Sequence, residues 1–583
     1  MSLFDWARSA GCEWPSRVEF RRDEERGVHC VCTEDCDSAV IRIPVDVVIR
    51  GTLAREYFKL TDEEHVYQNS WMKLLFSRMK YGGEGVIVNG EDLSKKFGGY
   101  ISELPQLVNS PLLWTPQEVS RLLTGTNLGN SVYEKLNSVL NEWKTVIRTR
   151  PEFVNDITNP FLSVNYDDLD DNQMYQLLVE PLTSGSELHW LSFPAFLYSH
   201  LIFTSRAFPE YVVNPNCEQT SVVLLPVIDL LNHDYNAKVE WYPEEIDGTT
   251  YFCYKSLDNV SKECELFNNY GGKGNEELLM GYGFVLEENI FDAVALRIKL
   301  PVDTITDIIN NHPDVELPTM DKYTTFAFDL AKVGDEMKKE TPSAKDFKDG
   351  VMYFVNNTNA SVLDSLIDLF SYMKLYKNEN ITDLRPRLDG IQMLKVAFKQ
   401  KLDTALQNTP DSIDQNSYKD RCSLLYRNSQ ISILKNVITN LKRIEKELFR
   451  ENKKSLLSMD KVMKNDPGFT SEELPSLFEG QDGDDIVFDS SLDLFILWVI
   501  LKMENKSFVE KYRDIEIDLA KFVKAYNHTN TSEEAKGFKD HLLPQSSQIS
   551  IATVTIAIDY VKSHIVTRLN SKCEEDDTIF VRK

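Results

Sequence analysis

Positive charge is scarce in this 583-residue chain: 64 Lys and Arg stand against 91 Asp and Glu, a net charge of −27. That balance argues against a sequence-independent grip on DNA or RNA, which needs a basic stripe to neutralise phosphates. It suits a protein partner that is itself basic. Long apolar runs are missing too. The longest, Phe495 to Leu501, is far short of the ~20 residues that span a bilayer, so no membrane partner is expected. The opening residues, Met1 to Trp6, show neither a basic stretch before an apolar run nor an Arg-rich, acid-poor character, so no targeting leader is expected. Cysteines number only nine and include no Cys-x-x-Cys pair. They read as free thiols in a reducing compartment, the cytosol or nucleus. His29, Cys30, Cys32 and Cys36 invite a zinc reading. Their spacing lacks a ligand pair, and strand alternation puts Cys30 and Cys32 on one face, so core thiols and no metal are expected.

What is present is ordinary globular composition, 42% hydrophobic and 27% charged, which excludes a mostly disordered chain. The length allows two to four folded units. Strand-like alternation runs through Val28–Cys32 and Ala39–Pro44 and returns at Val222–Leu225 and Glu240–Tyr242. Between them, from about 52 to 200, the texture is helical, clearest in the stripe Val132, Leu136, Val139, Leu140 and Trp143. Strand-rich ends around a helical insert predict one discontinuous β unit over residues 1–300. Residues 301–583 read as all-helical, with amphipathic helices over Ile391–Leu406 and Leu434–Leu448, an acidic flexible loop over 471–490 and a helix over Leu492–Lys502. The fold class expected is α+β, followed by an all-α C-terminal domain.

Two stretches carry chemistry. In Leu224-Leu225-Pro226-Val227-Ile228-Asp229-Leu230-Leu231-Asn232-His233 an apolar run ends abruptly in two side chains that both donate and accept hydrogen bonds. Alone, this is equally a strand that ends in a turn. The second stretch, Phe267 to Val285, holds Tyr270, the loop Gly271-Gly272-Lys273-Gly274, a short helix with Asn275 as expected N-cap and two glutamates in its first turn, and then Tyr282. The loop lacks the Gly-x-x-x-x-Gly-Lys-Ser/Thr spacing of a phosphate cradle. Singly, each tyrosine reads as a core or interface aromatic.

Taken in order, Asp-Leu-Leu-Asn-His followed by Asn-Tyr-Gly, Asn-Glu-Glu-Leu-Leu and Tyr-Gly-Phe resembles the SET-domain protein methyltransferases. The closest likeness is the branch typified by the plant Rubisco large-subunit lysine methyltransferase. Glu24-Glu25-Arg26-Gly27-Val28, Pro111-Leu112-Leu113-Trp114-Thr115 and Ser205-Arg206-Ala207-Phe208 resemble further segments of that branch. The resemblance implies small β-sheets in which the Asn-His and Tyr-Gly segments thread past each other, a rarity among folds. It implies S-adenosylmethionine as cofactor, with Glu24, Glu25, Arg26, Arg206, Asn232 and His233 on the cofactor side. Asp229, Tyr270 and Tyr282 would face the substrate, and the two tyrosines would be catalytic, lining a lysine channel.

Such residue types suit the reaction. A free lysine has a pKa of ~10.4 and is protonated at neutral pH. An aromatic channel beside a positive sulfonium lowers that value, and a phenol that hydrogen-bonds the amine aligns its lone pair for in-line attack. Length and the acidic helical tail look most like the fungal ribosomal-protein lysine methyltransferases. That implies a monomeric enzyme acting on a basic ribosomal protein, with an elongation factor or cytochrome c as the alternative acceptor and a non-catalytic binding protein as the rival. Two positions depart from the branch: Asp234 follows the histidine where Ser is usual, and Glu210 stands where a second basic residue is expected.

Overall fold

The computed structural model describes residues 3–583 except 24–26, 66, 215–216, 218–220, 319–342, 349, 359, 478–489, 527–531, 545, 547 and 571–572. Its described residues form two units. One joins residues 3–294 with 404–431; the other joins 295–318, 343–403 and 432–583. The segment 404–431, expected in the C-terminal half, therefore packs with the first unit.

The first unit is built from strands β1 (Val18–Asp23), β2 (Gly27–Cys32), β3 (Val40–Pro44), β4 (Ala207–Pro209), β5 (Val222–Leu224), β6 (Val239–Ile246) and β7 (Thr249–Ser256). They make three small antiparallel sheets: β1–β2, β4–β5, and a three-stranded sheet in the order β3–β7–β6. In β2 the last four residues, Cys30 and Cys32 among them, are buried, so these thiols serve packing. Between β3 and β4 lie the helices α1 (Gln68–Tyr81), α2 (Asn127–Arg148) and α3 (Phe193–Arg206), besides shorter ones. Val132, Leu136, Val139, Leu140 and Trp143 form the buried face of α2, as their 3.6-residue spacing predicts. The start of α4 (Tyr418–Glu451) closes this unit. Arg427, buried, donates to the carbonyls of Ala405, Leu122 and Thr124, and Tyr426 donates to Glu276.

In the second unit the predicted helices appear as Leu384–Gln407, the rest of α4, and Ser491–Asn505. Its helices are joined by two small sheets that the helical expectation omits. One pairs Val294–Ile298 with Val351–Val355; the other has three strands, Leu456–Ser458, Ile565–Leu569 and Glu575–Val581. Of the predicted acidic loop, residues 471–476 are helical and 478–489 lie outside the described residues. Among the described residues no helix is long and apolar enough to cross a membrane.

Asn275 differs from its expected role. Gly274 holds the N-cap position, and Asn275 is the first helical residue, wholly buried. Its amide instead pins the following loop: Oδ1 accepts from Leu286 N–H (2.9 Å) and Asn289, and Nδ2 donates to Leu286 C=O (2.9 Å) and Asp292. A buried amide that answers both polar groups of one residue cannot be deleted without leaving them unpaired. Asn275→Ala is expected to cost about 2–3 kcal/mol of local stability. Hydrogen exchange should show the loss of protection across residues 284–293, with the C-terminal unit unchanged.

Candidate active site

The site lies within the first unit, where three chain segments converge. α3 is buried from Phe193 through Phe203 and ends at Arg206, whose guanidinium borders a cavity of about 340 Å³. β5 leads into a strained turn. Val227, a buried β-branched residue, has φ of +76°, a region such residues seldom enter. The turn delivers Asp229 to the cavity wall. There the Asp229 carboxylate accepts from Arg206 Nη1 (3.2 Å) and from the Tyr100 hydroxyl (2.7 Å), while Oδ1 has no protein partner. Burial raises the Asp229 pKa above the ordinary carboxylate value, opposed by Arg206 and Tyr100, which favour the charged form.

Beyond Asp229 the chain crosses the second stretch. Asn268 N–H donates to Asn232 C=O (2.7 Å) and Asp234 N–H to Asn268 C=O (3.0 Å), so residues 232–234 run parallel beside 268. The Asn232 amide donates to Glu265 (2.7 Å). Tyr270 N–H donates to His233 Nδ1 (3.1 Å), which requires an unprotonated Nδ1 and puts the ring proton on Nε2. Burial pushes the His233 pKa down to about 4, consistent with that neutral ring. The two rings stack, centroids 4.9 Å apart, and Tyr270 stacks in turn on Tyr282 at 5.3 Å. The Tyr270 hydroxyl donates to Leu231 C=O (2.6 Å) and keeps its lone pairs as acceptors. Burial raises the pKa of both phenols, so both stay protonated at neutral pH.

Tyr282 ends a wide helical turn, Leu278–Tyr282, stopped by Gly283 at φ of +81°. A Cβ on Gly283 would come within 2.9 Å of the Asn109 backbone, so only glycine permits the approach of that segment. Ser110 donates to Met280 C=O (2.6 Å) and Asn109 to Gly283 C=O (3.1 Å), which fixes the turn and with it the Tyr282 ring.

Of the residues singled out from sequence, Arg206, Asp229, Tyr270 and Tyr282 share the cavity. Asn232 and His233 lie against Tyr270 through the crossing, and Glu24, Glu25 and Arg26 lie outside the described residues. Sequence reasoning passed over Tyr100, which touches the site from 129 positions away, and Trp241 and Phe208, an edge-to-face pair on the cavity wall. It also passed over Lys273. Only the glycines around that lysine hinted at a close approach.

The chain is 42% identical, over its whole length and 99% of the relative's, to Ribosomal lysine N-methyltransferase 1 of Saccharomyces cerevisiae. It is 27% identical over 87% of its length to Protein-lysine N-methyltransferase EFM1 of the same yeast, covering 83% of that protein. It is 26% identical over 78% of its length to Ribosomal lysine N-methyltransferase set10 of Schizosaccharomyces pombe, covering 74% of that protein. Residues 325–452 match the family described as EFM1 middle domain. Its fold resembles the crystal structure of the SET domain of LSMT bound to lysine and AdoHcy, with a TM-score of 0.51 and 16% identity. That match covers 82% of this chain and 98% of the other.

His233 gives the site a defined acid sensitivity. Its pKa is about 4 in the folded chain against 6.5 ordinarily, so between those values the unfolded chain binds the extra proton. Stability is full above pH 6.5 and is lost as pH falls toward 4. At pH 5 the loss from this ring is about 2 kcal/mol relative to pH 7. His200, lowered by burial to about 4, adds a loss of the same sign. His233→Gln is expected to shrink the pH 7-to-5 drop in the urea midpoint of the full chain, and an unchanged drop would show that His233 does not carry it.

Proposed function

Because the chain belongs to the SET-domain protein-lysine N-methyltransferases, we propose that it transfers methyl groups from S-adenosylmethionine to a lysine of a basic, large-subunit ribosomal protein. The observation that carries the reading is the crossing of residues 232–234 with 268–270 beside a cavity walled by two half-buried phenols. A net charge of −27 and a whole-length relative named for ribosomal lysine methylation support the acceptor class.

The residues present fit S-adenosylmethionine. Arg206 offers a cation for a carboxylate, and His233 Nε2 is a buried polar atom without a protein partner. Tyr270, Tyr282 and Trp241 supply aromatic faces for a sulfonium. Arg206, Asn232 and His233 would hold the cofactor, and when bound it supplies an electrophilic methyl group on positively charged sulfur. The chain itself supplies exclusion and alignment. Tyr270 and Tyr282 keep bulk water from an entering amine, and the lone pairs of the Tyr270 hydroxyl accept its N–H and aim its own lone pair. Asp229 stands on the substrate side, steadied by Tyr100 and Arg206. The enzyme works as a monomer in the cytosol or nucleus, where its nine free cysteines stay reduced.

Two measurements test this. Labelled methyl transfer into ribosomes from cells lacking the protein should mark one basic large-subunit protein. Label confined to an elongation factor or to cytochrome c would reassign the acceptor, and absence of both label and S-adenosylmethionine binding by calorimetry would leave a non-catalytic binding protein. Tyr270→Phe should lower kcat by about 100-fold, or roughly 2.7 kcal/mol, with little change in cofactor affinity; an unaltered kcat would remove the phenol from the alignment step.

A further inference from the structure

The cavity contradicts the charge of the protein around it. In a chain of net charge −27, the charged side chains on its wall, among the described residues, are three cations, Lys73, Arg206 and Lys273, and two carboxylates, Asp229 and Glu277. Each cation has a partner, but the pairs differ in direction. Arg206 and Asp229 both face the cavity, 3.2 Å apart, and cancel there. Lys73, on α1, faces Glu142 at 2.7 Å and His200 at 3.2 Å, neither of them on the wall. Lys273 pairs with Glu277 at 2.5 Å; its side chain is 6% exposed and that of Glu277 is 44% exposed. Both ends of this pair line the cavity, but the ammonium is the buried end and the carboxylate the one that water reaches and screens. Inside, the Lys273 ammonium lies 5.5 Å from the centroid of the Tyr282 ring.

We propose that Lys273 sets the protonation state of the acceptor lysine: buried over the Tyr282 ring, with a counter-charge that solvent reaches and screens, it disfavours a second ammonium in the same cavity and lowers the pH at which the acceptor becomes a nucleophile. The inference rests on the methyltransferase reading above. Two effects combine. Like charge at short range in a water-poor cavity favours the neutral amine. A resident cation on the Tyr282 ring also uses a π-face that would otherwise attract and stabilise the acceptor's ammonium. The acceptor's proton leaves to bulk water, and the protein needs no general base. The other groups facing the amine leave this balance to Lys273. On the wall, Asp229 is answered by Arg206 and Lys73 by Glu142, and Tyr211, Tyr270 and Tyr282 are phenols.

The test is the pH dependence of single-turnover methyl transfer, with the full chain saturated with S-adenosylmethionine and with the acceptor protein identified by labelled transfer. Under saturation the acid limb reports the amine inside the complex. Lys273→Met should move that limb to higher pH by about 0.5–1 unit and regain most of its rate at alkaline pH, whereas Lys273→Arg should keep the limb near the wild-type position. Glu277→Gln, at a half-exposed position, should move the limb the opposite way, and it decides the matter if Lys273→Met does not fold. An acid limb unmoved in the folded variants, with rates lowered equally at every pH, overturns the proposal and leaves Lys273 a packing residue. Failure of the wild-type chain to transfer methyl at any pH would instead refute the underlying reading.

Discussion

Everything in the site depends on the hydrogen bonds between residues 232–234 and 268–270, two between backbones at Asn268 and one from Tyr270 N–H to His233 Nδ1. They hold side by side two stretches that come from distant parts of the chain and enter from different directions. One carries Asp229, Asn232 and His233; the other carries Tyr270 and continues to Tyr282. A shift of either by one residue would turn the His233 ring from the Tyr270 amide and undo the aromatic stack. Hydrogen bonds of this kind are individually modest, yet their burial makes each expensive to leave unmade. Accuracy at the site is thus bought from main-chain pairing, with little demand on any single side chain.

The helices serve this crossing from outside. α3 brings Arg206 to the cavity, the helical insert supplies Tyr100, Asn109 and Ser110, and the amide of Asn275 ties down the loop after the Tyr282 turn. These contacts reach across more than a hundred residues in several cases. The first unit therefore does its chemistry with short, irregular segments and uses its regular elements as a frame, a common division of labour between scaffold and loops. The partly positive lining of the cavity has the same logic. Under the proposed function, the net acidity of the chain would suit a basic partner, and the few inward cations would make the interior unfavourable to the charged form of the group that enters.

Much of this was legible in the residues. The stripe in α2 and the apolar face of α4 declared themselves by period, and the Asn-His and Tyr-Gly segments by their order. What stayed hidden had no local signature. Tyr100 is one tyrosine among many until a fold puts its hydroxyl on Asp229. Asn275 sits where an N-cap is expected, and only the return of the chain at Leu286 shows that its amide is spent elsewhere. The C-terminal sheets escaped notice because their strands are short and one begins Glu575-Asp576-Asp577, a run that resembles a loop. Lys273 was hidden by its own neighbours, since a lysine among glycines reads as an exposed turn.

Val227 has a consequence beyond geometry. A buried valine in a left-handed turn costs free energy that the two long hydrogen bonds within residues 227–231 offset only in part. The compensation comes from elsewhere, from the bonds between Ile49 and Leu224 on one side and from the 268–270 segment on the other. The segment therefore cannot preform. Its working shape depends on bonds to a part of the chain some forty residues downstream, so any change that loosens residues 268–270 is felt in the turn as well as in the aromatic stack.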